Sequence, residues 1–173
     1  MKAFYYLFFL IALGACKAKT KSSSQNPTPT MKSEGPKDGS CTAELQGSKQ
    51  LLIKTEEATG YLYPIVTDGD NLVIVYSYNK NAPEGIADGN HSETIHFEIP
   101  KTSNSLNKKD LELADVKLLY GKHCFCEDAG YYEVLNGELS VIKQDSKISF
   151  ELSFKIDGVD SEIQHISETV ILK

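Results

Sequence analysis

The sequence predicts an all-β fold: an antiparallel sandwich or small barrel of about eight or nine strands. Three observations lead there. Apolar and polar residues alternate with period 2 through most of residues 41–173. Turn-forming residues recur about every ten positions. No convincing helical stripe separates the strands, so there is no sign of the parallel β-α-β units that would need one.

The strands are expected in this order. Residues 50–55 and 61–66 alternate weakly, and Pro64 lacks a ladder donor, which places its strand at an edge or a bulge. Asp68-Gly69-Asp70-Asn71 reads as a hairpin turn leading into residues 72–78. The polar stretch 82–92 is a loop before a strand at 93–99. A second polar loop, 101–110, precedes 113–120, the one region where a 3.6 period competes with strand. Asn136-Gly137 tolerates positive φ and is expected to close a hairpin between 131–135 and 138–143. The clearest strand is 147–156, with Ile148, Phe150, Leu152, Phe154 and Ile156 on one face and Ser149, Glu151, Ser153 and Lys155 on the other. A last strand is expected over 162–172. Glu98 and Glu151 are read onto solvated faces, and His91, His96 and His165 as isolated residues.

Charge divides the chain at residue 40. Residues 17–40 hold five lysines against Glu34 and Asp38, net +3, and are rich in Ser, Thr, Pro and Gly without apolar periodicity. Such a segment buries too little surface to offset its ordering entropy, so residues 16–40 read as a disordered linker, with a reach of about 25–30 Å. Residues 41–173 hold 12 lysines against 22 acids, net −10, which suits one domain with a core and argues against a nucleic-acid partner. All 18 basic residues are lysine, so no guanidinium is available for bidentate phosphate recognition.

The amino terminus carries an address. Lys2 supplies a positive charge, residues 3–13 are a short apolar run, and Leu13-Gly14-Ala15-Cys16 closes it. The run is too short for a spanning helix, which needs about 20 residues. LGAC resembles the lipobox of bacterial lipoproteins. The resemblance implies a signal peptide over residues 1–15, cleavage before Cys16, and a diacylglyceryl group on its sulfur. The lysine-rich start, the linker and the β-rich remainder together resemble uncharacterised envelope lipoproteins of the Bacteroidota. By the same resemblance, Lys17 in place of an acid after the cysteine implies the outer membrane, facing the periplasm.

Two clusters are candidate sites. His123-Cys124-Phe125-Cys126 offers two thiols and an imidazole, a donor set suited to copper or zinc. Alternatively, in an oxidising envelope Cys41 would pair with Cys124 or Cys126 and close a loop of more than 80 residues, contributing about 4–5 kcal/mol. Tyr61, Tyr63, Tyr76 and Tyr78 would share a face if Asp68–Asn71 closes a hairpin, giving either core packing or a platform for a protein or glycan ligand. No catalytic motif stands out, and no catalytic residue is assigned. The sequence therefore supports a membrane-anchored, non-enzymatic binding domain with no cofactor beyond the lipid. An envelope metal or thiol-redox protein centred on His123, Cys124 and Cys126 is the alternative, and a hydrolase of envelope polymers the third.

Overall fold

The computed structural model describes residues 31–33, 36, 38–82, 85 and 89–171. The signal segment, Cys16 and residues 17–30 lie outside the described residues. The fold is an antiparallel sandwich, not a closed barrel. The strands are β1 (Met31–Ser33), β2 (Gly39–Thr55), β3 (Leu62–Lys80), β4 (His91–Pro100), β5 (Ser105–Lys109), β6 (Leu119–His123), β7 (Gly130–Glu133), β8 (Gly137–Gln144), β9 (Lys147–Phe154) and β10 (His165–Ile171). The first sheet runs β1-β2-β3-β4-β6-β7 and the second β10-β9-β8-β5. Nine strands thus lie within the expected domain, and β1 adds three residues of the expected linker to the edge of the first sheet. No helix among the described residues is long and apolar enough to cross a membrane.

The main core lies between the sheets. As the alternation requires, Ile148, Phe150, Leu152 and Phe154 of β9 are buried while Ser149, Glu151 and Ser153 are exposed. Phe150 meets Phe97 of β4 edge-to-face at 5.3 Å between ring centroids. Burying a side chain of this size contributes about 1.5–3 kcal/mol.

Four expected elements differ. Asp68–Asn71 is not a hairpin turn but a bulge inside β3, where Lys49 of β2 faces both Asn71 and Asp68. Bulges select the same glycines and short polar residues as turns do. The turn that joins β2 to β3 is Glu56–Tyr61, with the Glu56 N–H donating to Tyr61 O at 2.9 Å and Gly60 at φ 74°. Asn136-Gly137 does not close a hairpin either, because β7 belongs to the first sheet and β8 to the second. It is a crossing point, and Asp145-Ser146 makes the tight turn between β8 and β9, with Asp145 at φ 52°. The expected strand at 113–120 is a 3₁₀ helix, Asp110–Val116, burying Leu113 and Val116 three residues apart, followed by β6. Part of the expected polar loop 101–110 is strand β5, paired with β8.

The bulge lengthens the β2–β3 hairpin beyond its sheet. β4 pairs with β3 only from Asn71 to Lys80, and β1 pairs with β2 only from Cys41 to Ala43. Residues 50–55 and 62–67 therefore pair only with each other among the described residues. This two-stranded arm bends over the outer face of the first sheet. Leu51, Val73 and Leu119 are fully buried there, apart from the main core.

Candidate functional site

The arm is fastened at its root by an ion pair between half-buried Lys117 and buried Glu98. The Leu51 N–H donates to Glu98 Oε2 at 2.6 Å, and Lys117 Nζ donates to Leu51 O at 2.7 Å. Lys117 Nζ also lies 2.8 Å from Glu98 Oε1. Glu98 is 7% exposed, so it is not on a solvated face as the strand pattern suggested. Because both backbone groups of Leu51 point to these side chains, Leu51 and Val66 form a non-hydrogen-bonded pair in the arm. The backbone groups of Ile53, two residues on, point out along the same edge. Opposite Ile53 stands Pro64, which has no donor to offer.

A cleft of about 300 Å³ opens beside the root. Leu51, Leu52 and Ile53 form one wall, with Ala114, Lys117, Leu118, Glu133 and Leu135 opposite. It is apolar apart from Lys117 and Glu133, and Leu135 is 42% exposed at its rim. The tyrosine cluster is divided by the same geometry. Tyr61 and Tyr63 are exposed at the far end of the arm, at 66% and 38%. Tyr76 and Tyr78 are buried in the main core, 13 or more residues along the strand and beyond the bulge. The four rings do not form one platform because the expected hairpin turn is a bulge within a single strand.

The β6–β7 loop holds the cysteines. Cys124 and Cys126 are bonded to each other, with Cα atoms 5.3 Å apart. Cys41 is unbridged and buried, contrary to the expected pairing. The register gives the reason: Cys41 faces Tyr78, Tyr78 faces Glu93, and Glu93 faces Lys122. Three strand spacings of about 4.8 Å separate Cys41 from β6, beyond the roughly 7 Å that a disulfide spans. The donor atoms that gather near the bridge are the two sulfurs and an Asp128 carboxylate oxygen, all within 4.8 Å. His123 is not among them. Its Nε2 lies 3.5 Å from Thr94 Oγ1, and its ring packs on Tyr131 at 5.1 Å. His96 also packs against Tyr131, at 6.1 Å, so it is not isolated. Burial, reinforced by His123, pushes the His96 pKa down to about 4. Burial also lowers that of His123. Both rings are neutral at pH 7. With the thiols bridged, the expected copper or zinc set of His123, Cys124 and Cys126 is not assembled.

Asp128 anchors this loop. Lys122 Nζ donates to Asp128 Oδ2 at 2.7 Å and to Asp160 O at 2.6 Å, and the Asp160 N–H donates to the same carboxylate at 3.2 Å. The Lys122 hydrogen bond holds the Asp128 carboxyl below the usual carboxylate range. Beside Lys122, fully buried Glu93 accepts the N–H groups of Glu162 at 2.8 Å and Ile163 at 3.0 Å, with His91 Nε2 at 2.9 Å. This polar row ties the β9–β10 connection to the first sheet. Sequence reasoning missed Glu93, Lys122, Glu98, Lys117 and Asp128. One signal was present: Glu93 is in phase with Ile95, Phe97 and Ile99, an acid on an apolar face.

Comparison with protein families, curated proteins and solved structures finds no match.

Proposed function

We propose that this chain is a lipid-anchored envelope protein, tethered through Cys16, that holds a partner protein along its β2–β3 arm without catalysing a reaction. The observation that carries the reading is the arm: a two-stranded ribbon with an outward backbone edge, apolar residues on both faces and an apolar cleft at its root. An unpaired edge beside apolar pockets is the arrangement by which an extended peptide adds a strand, with main-chain hydrogen bonds giving affinity and the pockets giving selectivity. It suits polypeptide better than glycan, because a sugar cannot continue the ladder. The LGAC sequence at residues 13–16 supports the anchor, and the acidic domain argues against nucleic acid.

The test is site-specific photo-crosslinking in living cells. A crosslinker at Tyr63 should capture a defined protein, whereas one at Ile142 on the second sheet, which is 50% exposed, should not. Ile53→Pro should abolish the Tyr63 product, since proline removes the outward donor while sparing the ladder bonds between β2 and β3. Equal products from both positions, or a product untouched by Ile53→Pro, would refute strand addition at the arm.

A further inference from the structure

We propose that the Cys124–Cys126 bridge is a thiol–disulfide exchange site that takes two electrons from a dithiol protein, with Phe125 as its docking residue. The site lies outside the arm and does not depend on the reading of the arm.

Four observations converge on this loop. The bridge joins residues only two apart in sequence, and the chain entropy removed by a crosslink grows with the loop it closes. Holding the sandwich together is therefore a poor account of it. The two sulfurs are unequal: Cys126 is exposed and Cys124 half-buried, so an incoming thiolate meets Cys126 first. Between them Phe125 is 96% exposed, an apolar ring standing in solvent beside a reactive bond. Finally, the loop is held independently of the disulfide. It is strung between paired strands β6 and β7, Asp128 is bound by Lys122 and Asp160, and the Tyr132 hydroxyl donates to Asp128 O at 3.0 Å. Opening the bridge leaves that scaffold in place.

The chemistry balances within the pair and its partner. A thiolate of the partner dithiol attacks Cys126 Sγ, forming a mixed disulfide as the bond to Cys124 breaks and its electron pair passes to Cys124 Sγ, which takes a proton. The partner's second thiolate attacks its own sulfur in the mixed disulfide, and Cys126 leaves as a thiolate and is protonated. The partner dithiol is oxidised to a disulfide, and Cys124 and Cys126 are reduced to two thiols.

The experiment uses the full chain in detergent, with Cys16→Ala so that buried Cys41 is the only other thiol. Reduced thioredoxin serves as the dithiol probe, and thiols are counted by alkylation and mass under native conditions. The expected result is a gain of two thiols, at Cys124 and Cys126, with Cys41 unmodified and the urea midpoint unchanged. Phe125→Ala should slow reduction by thioredoxin about three-fold or more while leaving reduction by dithiothreitol unaltered. In single-thiol variants, Cys126 (in Cys124→Ser) should react with oxidised glutathione at least about ten-fold faster than Cys124 (in Cys126→Ser). A bridge that resists thioredoxin until the domain unfolds, or two thiols of equal reactivity, would overturn the proposal. So would a reduced pair that takes up one zinc per chain and then no longer exchanges.

Discussion

Glu98→Ala tests whether the arm is a separate unit fastened by the Glu98–Lys117 pair. The substitution leaves the Leu51 N–H, on a fully buried residue, without its charged acceptor. An orphaned buried donor costs about 1–3 kcal/mol. Lys117 also loses its carboxylate partner, but its side chain is 36% exposed, so solvent screens most of that loss. The total is about 2–3 kcal/mol, concentrated where the arm meets the sheet. The assay is native-state hydrogen exchange. A loss of 2 kcal/mol corresponds to roughly 30-fold faster exchange at the Leu51 amide and its neighbours, if the arm opens by itself. Amides of β9, in the main core, should change less than about two-fold. Glu98→Gln retains an acceptor oxygen and should recover about half of the protection. Unchanged exchange at Leu51 would refute the fastening, and equal acceleration in β9 would refute the arm as an independently opening unit.

Four further outcomes are expected. His96→Leu should remove an acid sensitivity. His96 is lowered to about 4 in the folded chain, below the ordinary value of 6.5, so the unfolded state binds the proton first. Stability from this group is therefore full above pH 6.5 and lost as pH falls toward 4, by about 2–3 kcal/mol, which urea midpoints across that window will show. Gly137→Val should destabilise by about 1–3 kcal/mol in urea unfolding, since Gly137 sits at φ 154° and an added Cβ would lie 2.8 Å from Phe154 Cα. Tyr76→Ala should cost about 3–5 kcal/mol, against less than about 0.5 kcal/mol for Tyr61→Ala, measured by the same unfolding. Cys16→Ser should abolish incorporation of labelled palmitate and halt maturation; a mutant that still labels would remove the anchor from the proposed function.

What the sequence made legible follows from the range of the interactions involved. The alternation in 147–156 is local, and it placed Ile148, Phe150, Leu152 and Phe154 in the core correctly. The acidic glycine cluster at 68–71 is equally local, but a turn and a bulge demand the same backbone freedom, and only pairing with Lys49 across the ladder separates them. The error spread from there. Reading the bulge as a turn put Tyr61 beside Tyr78, when the intact strand holds them at opposite ends. The cysteine pairing failed for a related reason. Loop length sets the entropy of a bridge, but strand order sets whether it can form, and the order β2-β3-β4-β6 was not readable from spacing. Glu98 and Lys117 are 19 residues apart in sequence and act on Leu51 of a third element, so no local pattern could join them.

The register also separates the two proposed sites. Gly39 at the start of β2 faces Lys80, which faces His91, and Ser92 beside it faces His123. The Cys124–Cys126 loop therefore follows the Gly39 end of the first sheet, whereas the arm runs to Thr55 at the other end of β2. The β1 strand runs antiparallel to β2, so the chain approaches that Gly39 end from the direction of the arm. The two readings consequently make separable demands. Ile53→Pro should remove Tyr63 crosslinking and leave reduction of the bridge by thioredoxin unchanged, because no backbone group of Ile53 belongs to the β6–β7 loop. Phe125→Ala should slow that reduction and leave the crosslink intact. Loss of both activities in either variant would refute the independence of the two sites.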